Sequence, residues 1–95
     1  MLTHIVLFKL KDRSPENIAS TRERMAAISG QIPQLRSMQV GTNVVESQFA
    51  YDIALVETFD SLEGLKAYQA HPVHTALMHD VMARFEAFTS VDYEI

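Results

Sequence analysis

MQVGTNVVESQFAYDIALVETF, residues Met38 to Phe59, contains two strand-forming runs with no space for a helix between them. Val, Ile, Thr and aromatic residues are enriched in both runs, as a pleated, half-buried surface favours. The pattern predicts a strand over Met38–Glu46, with Met38, Val40 and Val44 on one face. Ser47-Gln48 then turns the chain into a second strand over Ala50–Phe59. Strands this close in sequence pair as an antiparallel hairpin.

Outward from this hairpin the pattern becomes helical on both sides. Upstream, Ser14 is placed as an N-cap and Pro15 at the first helical position, where its missing N–H has no partner to lose. Ile18, Met25, Ile28 and Ile32 form one apolar stripe, with Arg22, Glu23 and Arg24 facing water, and Gly30 and Pro33 mark the end. Before that helix, Leu2–Leu10 reads as a strand around Ile5-Val6-Leu7-Phe8. Downstream, Asp60-Ser61-Leu62-Glu63 resembles a capping box, with Asp60 as cap and Glu63 reaching back. A short helix follows to about Ala70. After Pro72 a longer one carries Leu77, Met78, Val81, Met82, Phe85 and Phe88, with Asp80 and Arg84 paired at i,i+4. Thr89–Ile95 alternates as a last strand.

The order is β-α-β-β-α-β, the split βαβ arrangement of the ferredoxin-like fold, in the α+β class. At 95 residues the chain is expected to form one domain over 1–95. A chain this small buries only about 60–70% of its unfolded surface, so assembly is a natural way to complete its core. The strands support that. Ile5 and Leu7 point one way while His4, Val6 and Phe8 point the other, and Tyr51, Ile53 and Leu55 oppose Ala54 and Val56. With helices on one face, the other apolar face needs a cover. The expectation is a two-fold homodimer, in which two four-stranded sheets pack face to face.

Composition excludes several functions. A net charge of −4 and scattered Lys and Arg give no continuous basic surface for nucleic acid. The absence of cysteine removes disulfides, zinc–thiolate sites and thiol nucleophiles, and fits a reducing compartment. Met1-Leu2-Thr3-His4 enters the first strand with no basic n-region or long apolar segment, so a cytoplasmic protein with no membrane contact is expected. The three glycines are isolated, and no phosphate loop or nucleophile elbow is present.

The chemistry concentrates in Tyr68-Gln69-Ala70-His71-Pro72-Val73-His74. Proline ends one helix and starts the next, so the break at Pro72 is expected to bring Tyr68 and His74 together. A phenol beside an imidazole can serve as an acid/base pair, or the histidine can simply satisfy a backbone carbonyl. His74 falls on the inward stripe with Met78 and Phe85. His4 shares a buried face with Val6 and Phe8, and His71 either borders the site or caps the second helix. His79 lies on the polar side of its helix and is expected to be solvated. Proline distorts the i,i+3 spacing of His71 and His74 and no carboxylate stands at ligand distance, so no metal is expected.

With His4 in the first strand, Tyr-x-x-His-Pro-x-His at 68–74 and Asp92-Tyr93 near the end, the chain resembles the stress-responsive α/β-barrel family. Ile32-Pro33 leading to Gly41 and Tyr51 through Phe59 as central strand extend the likeness over nearly the whole chain. The resemblance implies a ferredoxin-like protomer pairing into a dimeric α/β barrel. A catalytic plant member cyclises a linear polyketide thioester to olivetolic acid. By that resemblance Tyr68 and His74 take the catalytic roles, His4 is a substrate-binding pocket histidine, and no cofactor or metal is needed; His71, beside them, is a further substrate-binding candidate. The candidate ligand is a small apolar or polyketide-like molecule, and the candidate reaction a cyclase or lyase step. Two alternatives stand beside it: a non-enzymatic stress or scaffold dimer with structural histidines, and a cofactor-free monooxygenase of the same architecture.

Overall fold

The computed structural model describes residues 1–95, with elements β1 (Leu2–Leu10), α1 (Pro15–Ala26), β2 (Ser37–Thr42), β3 (Ile53–Phe59), α2 (Leu62–Ala70), α3 (Pro72–Val81) and β4 (Phe85–Glu94). A 3₁₀ turn at Met82–Arg84 joins α3 to β4. The four strands form one antiparallel sheet in the order β2-β3-β1-β4, and the helices cover one face of it, giving the ferredoxin-like arrangement.

Register decides what the covered face holds. Along β1, Leu2, His4, Val6, Phe8 and Leu10 are buried, and along β3 so are Ile53, Leu55, Glu57 and Phe59. The core divides into two clusters beneath the helices. Phe8, Leu10, Met25, Leu55, Val81 and Phe85 belong to one, and Leu2, Ile28, Ile32, Phe59, Leu65 and Tyr68 to the other. The opposite face presents Ile5, Leu7, Val56, Val91 and Tyr93, and Val91 there is 61% exposed.

Five local expectations are corrected. The cap of α2 is Ser61, not Asp60: Ser61 Oγ accepts the Gly64 N–H at 3.3 Å, while Asp60 pairs with Arg36 at 2.7 Å. The last helix stops at Val81, and Phe85 and Phe88 lie on β4. Phe85 stands four residues after Val81 and three after Met82, and Phe88 three after Phe85, which mimics a helix. The nine-residue β1 instead pairs β4 as far as Leu10↔Phe85, with an irregularity at Lys9/Leu10. Leaving the helix there also separates Asp80 from Arg84. Asp80 pairs with Arg24 of α1 at 2.7 Å, and Arg84 donates to Thr21 Oγ1 at 2.9 Å.

The hairpin is also shorter than its sequence pattern. β2 ends at Thr42 and β3 begins at Ile53, so Val44 lies in the connection and is 92% exposed. Asp52 sets where pairing resumes: its buried carboxylate accepts the Leu10 N–H at 2.8 Å and Arg13 Nε at 2.9 Å. Likewise α1 ends at Ala26, although Ile28 and Ile32 stay buried past it, with Gly30 supplying a left-handed turn at φ 82°.

Candidate functional site

Pro72 builds the site's geometry. A residue before proline is held out of the helical region, and His71 accordingly adopts φ −67°, ψ 138° between α2 and α3. His71 then serves both helices: its backbone N–H bonds Tyr68 O at 3.1 Å, and its ring Nδ1 accepts the Val73 N–H at 3.1 Å. The change of direction stacks Tyr68 at the end of α2 against His74 in the first turn of α3, with ring centroids 4.6 Å apart at 57°.

His74 Nδ1 lies 3.2 Å from Gln69 O. A carbonyl can only accept, so Nδ1 carries the proton and Nε2 keeps its lone pair. Burial pushes the imidazole below its ordinary range, the Gln69 carbonyl opposes this, and His4 adds to it. The ring is thus a neutral base near pH 7.

Tyr68 is buried and donates to Glu57 Oε2 at 2.6 Å. Glu57 has no exposed surface, and its other oxygen, Oε1, has no hydrogen-bond partner. Burial pushes the Glu57 carboxyl upward, against the Tyr68 hydrogen bond and the His4 charge, which pull it down. Burial and the adjacent Glu57 carboxylate raise the Tyr68 phenol as well. In the sheet, His4 sits directly across from Glu57 on one side and from Asp92 on the other, and His4 Nδ1 hydrogen-bonds the Asp92 carboxylate.

These groups converge on a cavity of about 200 Å³ between the sheet and α2–α3. His4, Glu57, Tyr68 and His74 line it, within a mostly apolar wall that includes Met25, Met38, Leu55, Met78 and Phe85. The methionines border the space without closing it. Met82 and Phe88, both about half exposed, stand at its open side. An apolar cavity of about 150 Å³ holds benzene, so this one accommodates a single ring or a body of similar size.

Of the residues singled out from sequence, the structure brings His4, Tyr68 and His74 to one cavity. His71 is not on its wall and caps α3 instead. His79 is exposed on α3. Glu57 was missed, although the alternation placing Ile53 and Leu55 inward puts Glu57 on the same face. A carboxyl at an inward strand position is a signal that residue spacing already contained. No group of three or more His, Asp or Glu side chains is placed to hold a metal ion.

Solved structures share this fold over nearly the whole chain. An uncharacterized protein of Streptomyces coelicolor is 34% identical over 97 residues, covering 99% of both chains. A dimeric protein of unknown function and ferredoxin-like fold from Bacteroides fragilis is 34% identical, with a TM-score of 0.82 over 99% of this chain and 95% of its own. The hydroxynitrile lyase of Passiflora edulis shares the fold at 17% identity, with a TM-score of 0.84 over 99% of this chain and 92% of its own. The sequence profile of the stress responsive A/B barrel domain matches residues 2–95, and the chain belongs to that family.

Proposed function

We propose that this protein is a homodimer in which each protomer binds a small apolar, carbonyl-bearing molecule, polyketide-like in character, and moves a proton on it without a cofactor. The observation that carries this reading is the 200 Å³ cavity with His74, Tyr68, Glu57 and His4 in an otherwise apolar wall. His74 Nε2 is the base that removes a proton alpha to the carbonyl. The Tyr68 hydroxyl has one hydrogen bond to donate, and Glu57 accepts it. A ligand that supplies a donor to Glu57 in its place frees the phenol for the oxygen on which charge develops. His4, anchored by Asp92, shapes the wall beside them. Only the reacting end of a polyketide fits the cavity, and its tail leaves past Met82 and Phe88.

The apolar outer sheet face supports the dimer, as does the dimeric Bacteroides relative. The competing reading is a scaffold dimer. It draws on the partners that Tyr68 and His74 already have within the chain, Glu57 and Gln69, as structural buried groups do.

Ring closure or alpha-proton exchange on β-polyketide thioesters separates the two readings. His74→Ala should lower the rate by about a hundred- to ten-thousand-fold while the dimer stays folded. A rate unaffected by that substitution would overturn the role of His74, and no rate above background in the native protein would leave the scaffold reading.

A further inference from the structure

Glu57 is the only carboxyl on the cavity wall, and no Lys or Arg lines it. It faces His4 of β1 and Met38 of β2 across the ladders, Tyr68 of α2 through the hydrogen bond, and His74 of α3 across the cavity. Tyr68 satisfies one of its oxygens; the other, fully buried, has no partner. Of the other polar groups on the wall, His74 offers the Nε2 lone pair, the His4 ring is paired with Asp92, and Gln69 and Ser90 are neutral. Beside Glu57 the wall therefore offers a ligand mainly acceptors, and the charge of the neighbouring His4 ring is already met by the Asp92 carboxylate. A buried acceptor left unpaired is costly, and an anion beside a second carboxyl more so.

We infer that Glu57 Oε1 is the anchoring point for a ligand hydroxyl, so that the cavity takes neutral, hydroxyl-bearing molecules of about one ring in size and refuses carboxylates. This rests on the cavity being a binding site, as proposed above, and adds the selectivity of that site. Specificity of this kind is strong because a buried acceptor discriminates against the analogue that cannot donate to it.

Three single-ring probes test it: phenol, anisole, which lacks the donor, and benzoate, which carries the charge. Each is titrated into the intact protein near neutral pH while amide NMR signals of the lining residues are followed. Phenol should bind about tenfold or more tighter than anisole, the size of a hydrogen bond to a charged group, and benzoate should give no saturable shift. Glu57→Gln keeps an acceptor for Tyr68 and turns an amide donor toward the cavity. In that variant the preference for phenol should collapse and benzoate binding should become detectable. Equal binding of phenol and anisole, benzoate binding as tight as phenol, or a phenol preference that persists in Glu57→Gln would each overturn the inference. Anisole binding in the first of these cases would still leave the cavity a ligand site. If none of the three shifts the lining residues, the binding reading fails and takes this inference with it. The wild-type comparison decides the question even if Glu57→Gln folds poorly.

Discussion

Glu57→Gln should stabilise the protein at neutral pH, although it removes a charged residue that makes a short hydrogen bond. In the folded chain this carboxyl is sealed from solvent with one donor for two oxygens. Burial holds it above its ordinary value of 4.5, so the folded state binds the proton more tightly than the unfolded one. Stability linked to this group is therefore full below about pH 4.5 and is lost as pH rises through the folded value. Glutamine has no such dependence and keeps an oxygen for the Tyr68 hydroxyl. The glutamine NH2 is as unpaired as the oxygen it replaces, so the cost removed is that of the buried charge, about 1–3 kcal/mol beyond the neutral amide's own. For a chain this size each kcal/mol moves Tm by about 4–8 °C. Thermal unfolding of both proteins near pH 4 and near pH 8, at one fixed protein concentration, measures it. The variant should melt higher near pH 8 and nearly level with the native protein near pH 4. His74 has the opposite sign: its value is lowered, so its contribution is lost as pH falls through the ordinary 6.5. It is present in both proteins and drops out of their difference. A variant that melts lower near pH 8, or an offset that is the same at both pH values, would refute the reasoning.

Three further outcomes are expected. Val56→Asp places a charge on the outer sheet face, opposite Ile5 and Gln39, and should dissociate or unfold the dimer. Sedimentation showing a stable native monomer at micromolar concentration would contradict the sheet-to-sheet assembly. Pro72→Ala should cost only about 0.4–1 kcal/mol, the usual worth of a compatible proline, yet let α2 and α3 run together and move His74 away from Tyr68. An unchanged 4.6 Å ring separation in that variant's crystal structure would show that packing, not proline, sets the break. Asp52→Ala strands the buried Leu10 N–H and should destabilise by about 1–3 kcal/mol in chemical denaturation, and an unchanged midpoint would contradict its role in ending the β2–β3 connection.

The architecture was legible because it rests on period and punctuation. Ser14-Pro15 opens α1, two apolar runs in Met38–Phe59 form the central hairpin, and Pro72 separates α2 from α3. Boundaries failed where a long-range partner outweighed local pattern. Phe85 fits the helical stripe of Val81 and Met82, but β1 extends to Leu10 and recruits it into β4. Ser61 and Asp60 are equally good caps by type; the ion pair to Arg36, which lies 24 residues away in sequence, draws Asp60 out of that role. Tyr68 and His74 could be read as neighbours because a single proline joins them. Glu57 and Asp92 meet the site only through strand register, His4 to Glu57 on one side and to Asp92 on the other. That pairing is a tertiary fact, and the alternation in β3 hinted at only half of it.

Proton transfer at this site requires His74 to be a neutral base whose Nε2 is free, and nitrogen-15 NMR of the His74 ring measures that directly. Near pH 7 the ring should be uncharged, with the proton on Nδ1 where Gln69 O accepts it and Nε2 bare. A ring protonated on both nitrogens at that pH, or one carrying its proton on Nε2, would contradict the proton-transfer role and leave His74 as a structural residue of the α2–α3 break.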